Sequence, residues 1–359
     1  MYIGDLIGIN EATKLIGMSR PTFDKFRIEA ELKEFKVGRF KKFSKLELLQ
    51  KFFVDRAPMG GKFQFCFGYD IDFNVLKIDD FSYDLRRIEL IDGHCAMAFI
   101  CHLVSRIKQD GCYIHLVFDN SVTWLKYFNF FGSLKQFFNS KIFWNEVLLN
   151  EVPVVNLSEW IKLPITKLGF VGAQTKITDD LTVQLKLQGY SDDVCAYIGW
   201  AMGELCDNSA THAGVQPCFV QFTQLGEDRK YLLFTIGDVG KGIPNSLKRN
   251  KRYIDLNDQV AVLTAFKPNV SGRDDEEKRG KGLTDVLKIA MECSSCLQVE
   301  SNGVAYAFRF NAGNDSFLKY EASVKSDGTL VSILFIDGNF ASYDRSDVEK
   351  YINNCLEKI

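Results

Sequence analysis

Apolar residues in "INEATKLIGMSRPTFDKF" recur at helical spacing, break at Gly17 and restart at Ser19-Arg20-Pro21. Ser19 suits an N-cap and Pro21 a first helical turn, so the pattern predicts two short helices across a glycine turn, a helix-turn-helix. "FKVGRFKKFS" reads as a tight hairpin and "SKLELLQKFF" as a further short helix, which completes a unit over residues 1–56. The Pro and Gly content of "APMGGK" marks a linker. Over 62–150, "FNVLKIDD" and "YIHLVFD" read as strands, and "DGHCAMAFICHLVSRIKQDG" as a helix, apolar at 95, 98, 99 and 103. "SVTWLKYFNFFGSLKQFF" then reads as helix, glycine break, helix, which together give a small α/β layer. "VPVVNLSEWIKLPIT" reads as a link to a third unit over 165–335, again α/β. There a helix leads to the strands "PCFVQFTQLG" and "KYLLFTIGD", a hairpin across "GEDR". A long polar stretch follows over 243–279, then the helix "GLTDVLKIAMEC" and the strands "LQVESNG", "AYAFRFN" and "DGTLVSILF". Residues 336–359 read as a C-terminal helix. The expected fold class is multidomain α/β.

Composition narrows the function classes. A chain of 359 residues exceeds one ordinary domain, and 46% apolar with 25% charged residues is globular. A net charge of −2 gives no whole-molecule attraction to nucleic acid. Residues 1–56 differ, with 12 Lys or Arg against 8 Asp or Glu, so any such attraction is local to them. No apolar run reaches membrane-spanning length and the N-terminus lacks a signal-peptide pattern, which points to a cytoplasmic protein with no membrane contact. Most of the ten cysteines sit in apolar runs, as reduced core residues do. Cys293 and Cys296 form a lone CxxC with no second pair to complete a zinc site. His94 and His102, eight apart, do not suit metal pairing on a helix and read as structural.

Candidate chemistry lies in three glycine-marked stretches. In "GELCDNSATHAG", Glu204 and Asn208 are four apart and share a helix face, with Asp207 adjacent and His212 a turn further. A glutamate there can activate a water, and an asparagine carbonyl can join a Mg²⁺ that keeps mostly phosphate oxygens. A solvated helix end is the alternative. In "GDVGKGIP", Asp238 ends an apolar strand, where its carboxylate can accept from an adenine amino group, and Gly240 and Gly242 let the backbone approach a ligand. In "RGKGL", glycines open a helix whose first amides can meet an anion. No GxxxxGK[ST] pattern occurs, which removes the P-loop class.

"ELCDN", "DVGKG" and "GKGL", in that order and followed by "DGTLVSILF", resemble the N, G1 and G2 boxes and the closing strand of the GHKL ATPases. The resemblance covers about half the chain and implies an α/β sandwich that uses ATP and Mg²⁺. It implies Glu204 as general base, Asn208 as Mg²⁺ ligand and Asp238 as adenine reader. Gly240, Gly242, Gly280 and Gly282 would frame the nucleotide, Lys281 would meet phosphate, Thr329 would lie near the adenine, and 243–279 would be the ATP lid. Residues 1–56 resemble excisionase- and MerR-like winged helices. This implies that Ser19, Arg20, Thr22 and Phe23 face a DNA major groove while Arg39, Lys41 and Lys42 contact phosphate. A small module for protein contacts is the alternative. Residues 62–150 are similar to STAS-like domains, which can carry a phosphorylatable serine after an aspartate. Here the pair is Asp92-Gly93, so a docking role toward a partner protein is implied instead. The combined expectation is an ATP-binding regulator with slow hydrolysis coupled to DNA or partner binding, possible as a homodimer. The alternatives are a serine/threonine kinase of the anti-sigma-factor type and a nucleotide-gated binding module without turnover.

Overall fold

The computed structural model describes residues 6–15, 19–29, 31–44, 82–84, 93–110, 114–117, 142–144, 161–168, 173–212, 218–225, 231–272, 282–293, 295–310, 315–322, 328–336, 338 and 340–359. The predicted helix at 45–53, the linker 57–62, the strand at 73–80 and the helices at 121–138 lie outside these residues. The chain is mixed α/β, built around a large antiparallel sheet.

At the N-terminal end, β1 (Leu6–Gly8), α1 (Ile9–Leu15), α2 (Arg20–Glu29), β2 (Glu34–Val37) and β3 (Phe40–Ser44) form two helices on a three-stranded sheet of order β1-β3-β2. Ser19 caps α2, its Oγ accepting from the Thr22 amide at 3.4 Å. Phe23 is fully buried, edge-on to Phe43 with ring centroids 5.3 Å apart. It therefore does not face outward as a groove-reading residue. Phe23 and Phe26 are the buried pair of α2 and belong to the face turned inward.

Farther along, β4 (Ser82–Asp84), β5 (Ile114–Val117) and β6 (Ile142–Trp144) pair in parallel in the order β4-β5-β6, and α3 (Gly93–Asp110) joins β4 to β5 in sequence. His102 accepts or donates at 3.0 Å to Tyr83 Oη and stacks on Phe99.

The seven-stranded sheet runs β12-β11-β10-β13-β9-β8-β7. Its strands are β7 (Ile161–Leu168), β8 (Cys218–Leu225), β9 (Tyr231–Asp238), β10 (Cys296–Ser301), β11 (Val304–Arg309), β12 (Ser316–Glu321) and β13 (Thr329–Ile336). Every pairing is antiparallel. Residues read as a link thus hold β7, an edge strand. Pro164 disguised it, because proline lacks a ladder donor and is tolerated only at an edge or bulge. The register against β8 shifts on both sides of Leu163, where such an interruption belongs.

Alternation along β9 distributes its side chains over two faces. Leu232, Phe234 and Ile236 enter the main core, which also takes residues of α4 (Ala173–Leu187), α5 (Asp192–His212), α7 (Asp258–Thr264), α8 (Gly282–Glu292) and α9 (Arg345–Leu356). The C-terminal helix α9 is part of this core through Val348, Ile352 and Cys355. Tyr231 and Leu233 turn to the second face, which α3 covers. A Cβ on Gly237 would lie 2.8 Å from Cys101 Sγ and 3.0 Å from Met97 Cγ, so helix and strand meet there without a side chain between them. Gln221, Thr235, Ser332 and Gln298, paired in register across β8, β9, β13 and β10, form a buried polar row on this face. His94 sits over the row, with Nδ1 2.7 Å from Ser332 Oγ and Nε2 3.0 Å from Glu300 Oε1. Ser332–His94–Glu300 has the connectivity of a hydrolytic triad, but Ser332 is fully buried, so the cluster is a structural joint.

Between β9 and α8, residues 243–272, most of the stretch read as an ATP lid, hold regular elements. They form α6 (Gly242–Leu247), a short 3₁₀ turn at Lys251–Tyr253 and α7. Val262, Leu263 and Phe266 belong to the main core, and Leu247, Tyr253 and Ala261 form a smaller one. The apolar positions at helical spacing within the polar stretch are the signal for this packing. Residues 273–279 lie outside the described set.

Candidate functional site

The polar end of α5 has a local origin. Ser191 Oγ accepts the Val194 amide at 3.3 Å, and Asp192 and Asp193 complement the positive N-terminal end of the helix. Val194, Cys195, Ile198, Ala201, Met202, Leu205 and Cys206 then enter the core. Glu204 and Asn208, on the adjoining face, are partly buried, while Asp207 is exposed. Both partly buried groups press on the first residue of α8. A Cβ on Gly282 would lie 2.7 Å from Glu204 Oε2 and 3.0 Å from Asn208 Nδ2. A side chain at position 282 would displace both groups, so glycine there lets them close on the start of α8.

Burial pushes the Glu204 carboxyl above its usual range. A hydrogen bond from Trp200 opposes this, the charges of Asp285 and Asp207 reinforce it, and Arg345 opposes it. Asn208 Nδ2 is buried with no hydrogen-bond partner among the described residues, an orphaned donor beside an open pocket.

Asp238 closes β9 and is buried. Its Oδ1 accepts the Gly240 amide at 2.8 Å and its Oδ2 the Ser209 hydroxyl at 3.3 Å. Gly240 therefore fixes the carboxylate through its backbone. Gly242 has φ +74°, and its missing side chain makes room for Asn302 as well as for a ligand, since a Cβ would strike Asn302 Oδ1. Ser301 Oγ accepts the Ile243 amide at 2.8 Å and donates to the Gly328 carbonyl at 2.8 Å, which ties α6 to the start of β13. Neither Ser209 nor Ser301 stood out in the sequence. Ser209 follows Asn208 directly, and Ser301 precedes an Asn-Gly turn, so position relative to the glycine-marked stretches is the signal that could have found them.

These parts surround one cavity of about 130 Å³, room for more than one ordered water. Asn208, Ser209, Asp238, Gly242, Gly282 and Thr329 supply its polar surface, and Ile243, Leu247, Val270, Leu283 and Val331 supply apolar walls. A pocket of apolar walls with a few converging polar groups is the usual form of a small-molecule site. Glu204 stands at its rim against Gly282. Gly280 and Lys281 lie outside the described residues, as does the side chain of His212. Among the described residues no cluster of three His, Cys, Asp or Glu side chains could hold a metal ion.

The N-terminal candidates are elsewhere. Ser19, Arg20, Thr22, Arg39 and Lys41 are exposed. Lys41 Nζ pairs with Glu34 at 2.7 Å, and Arg27 pairs with the same carboxylate. Lys42 Nζ donates to the Leu6 carbonyl at 3.2 Å, and Arg39 lies over the Phe40 ring at 5.1 Å. The structure brings these residues to one small unit, with two of the three wing cations already engaged. No helix among the described residues is long and apolar enough to cross a membrane.

No family model and no curated protein matches the chain. Among solved structures, the 43K ATPase domain of Thermus thermophilus gyrase B in complex with an aminocoumarin is similar at 22% identity. The similarity covers 43% of this chain and 39% of that one, with a TM-score of 0.23. The chain thus spans well under half the length of that neighbour, and a likeness of this extent assigns neither fold nor family.

Proposed function

We propose that this protein binds Mg-ATP in the pocket between α5, β9, α6 and α8, and hydrolyses it slowly as a GHKL-type regulatory ATPase. One observation carries the reading. Four stretches far apart in sequence converge there: Glu204 and Asn208 against Gly282, with Asp238, Gly242 and Thr329 around the same cavity. Asp238, fixed by Ser209 and Gly240, accepts from the adenine amino group, with Thr329 beside it. Gly242 and Gly282 leave backbone within reach of the nucleotide, and the free amides of the α8 N-terminus face its phosphates. Gly280 and Lys281, directly before Gly282 in the chain, extend this phosphate end. The orphaned Asn208 Nδ2 is a donor that a phosphate oxygen can satisfy, which leaves Oδ1 for the metal, and Gly282 leaves room beside both. Mg²⁺, when bound, draws off charge from the phosphate oxygens, and Asn208 is the side chain that holds it. Glu204 orients a water and takes its proton. Its burial keeps it a stronger base than an exposed carboxylate. In this reading residues 1–56 contact DNA, 62–150 dock a partner protein, and ATP occupancy biases those contacts, in a monomer or a homodimer.

The test is incubation with γ-labelled ATP and Mg²⁺, alongside calorimetric ATP titration. Free phosphate supports hydrolysis, and label transferred to protein replaces this reading with the kinase. Absence of ATP binding rejects the site.

A further inference from the structure

One charged pair beside the pocket has no place in that scheme. Arg345, the first residue of α9, donates from Nε to Asp285 Oδ1 at 2.9 Å and from Nη2 to Oδ2 at 2.8 Å. Such two-pronged contacts are the strongest and most directional ion pairs. Asp285 is 5% exposed and lies three residues past Gly282 on α8. It therefore stands one turn along the helix face that meets Glu204. Arg345 is held in place independently of Asp285. Asp344 caps α9 in a reciprocal box with Asp347, and the helix is anchored in the core by Val348 and Ile352. The segment before α9 is tied to the far end of α8, where Ala341 donates to the Glu292 carbonyl at 2.9 Å and Tyr343 to Glu292 Oε1 at 3.4 Å. The fields of Asp285 and Arg345 both reach Glu204, with opposite signs.

Resting on the reading of Glu204 as the hydrolytic base, we propose that Arg345 is a positioning residue that pins the first turn of α8 and cancels the charge of Asp285. Glu204 then faces a neutral pair in place of a second buried carboxylate. Neither Arg345 nor Asp285 lines the cavity, so the pair acts on the reacting groups without holding the nucleotide. The C-terminal helix thereby becomes a required part of the site. A bare Asp285 would repel Glu204, whose carboxyl already feels its charge.

The experiment is steady-state phosphate release and calorimetric ATP affinity for full-length wild type, Arg345→Gln, Arg345→Lys and the double variant Arg345→Gln/Asp285→Asn. In Arg345→Gln, kcat falls by roughly tenfold or more, within the span a general base contributes, while ATP affinity changes little. Arg345→Lys recovers part of the rate, keeping the charge but losing the fork. The double variant recovers most of it because no lone charge remains. It also keeps the test readable if Arg345→Gln fails to fold. Wild-type kcat in Arg345→Gln overturns the proposal, and so does a folded double variant slow enough to need the arginine itself. A raised KM with unchanged kcat also overturns it, since it marks a binding role. A wild-type protein that releases no phosphate removes the underlying reading and this proposal with it, an outcome distinct from an active wild type matched by Arg345→Gln.

Discussion

Glu204 and Asn208 meet the same residue, Gly282, yet the proposed chemistry gives them different failures. Glu204→Ala removes the water-activating group, so Mg-ATP still binds while phosphate release falls by about 10²–10⁴-fold. Asn208→Ala removes a metal ligand, so Mg²⁺-dependent ATP affinity itself weakens. Calorimetry with and without Mg²⁺, paired with a phosphate assay, separates the two, and small equal effects would return α5 to a solvated helix end. Asp207, exposed beside them, has the smaller effect. The residues of the site were legible as types at spacings, because i, i+4 geometry and glycine positions are local. Their partners were not. Nothing local marks Ser209 as the donor to Asp238, or Arg345 as the counter-charge of Asp285 sixty positions away. At the other end of the chain, pairing decides between the wing cations. Arg39 lies over an aromatic ring, whereas Lys41 pairs with Glu34 and Lys42 is tied to a backbone carbonyl. If residues 1–56 bind DNA, Arg39→Ala lowers affinity and the salt slope more than Lys41→Ala does. Fluorescence anisotropy over a salt series reads this, and a larger loss from Lys41→Ala would contradict it.

Among the elements, those with a clean period were readable and those with an interruption were not. α5, α8, β8 and β9 follow from runs whose apolar positions match one period. β7 was hidden by Pro164 and its bulges. α6 and α7 were hidden because they are short and sit among clustered charged and amide residues, although a few apolar residues at helical spacing suffice to bury one face. Phe266, just past α7, is fully buried and packs edge-on against Phe308 of β11 with centroids 5.6 Å apart. Phe266→Ala therefore costs about 3–5 kcal/mol of stability, the range for removing a buried phenylalanine. Urea unfolding monitored by circular dichroism gives the number. A loss below about 1 kcal/mol, the level of an ordinary surface change, would mean the segment is the loose cover that its polarity suggested.

Across the whole molecule, the contact between α3 and the large sheet is buried on both sides. Periodicity identified α3, but it assigned the helix to a separate unit, since no local pattern says which surface an apolar helix face will meet. The structure sets Met97 and Cys101 on Gly237, one residue from Asp238, so a helix read as part of another domain backs the strand that carries Asp238. The polar row under His94 has a physical consequence for this boundary. Glu300 is 1% exposed, and His94 is one of its partners together with Tyr320. His94→Ala leaves Glu300 and Ser332 short of hydrogen bonds in a site closed to solvent, which costs about 1–3 kcal/mol. The location of that loss discriminates between two architectures. If the units are independent and α3 merely rests on the sheet, hydrogen exchange in His94→Ala rises in α3 alone. If α3 and the sheet open as one cooperative unit, exchange rises together in 93–110 and in β10 and β13, whose side chains the histidine joins. The contacts at Gly237 and the in-register row favour the second outcome. Gly237→Ala is expected to give the same pattern, because its Cβ collides with Cys101 and Met97, and shortening both to Ala in the same chain should relieve it. Exchange confined to α3 in both variants would mean that β9 and α3 are mechanically separate.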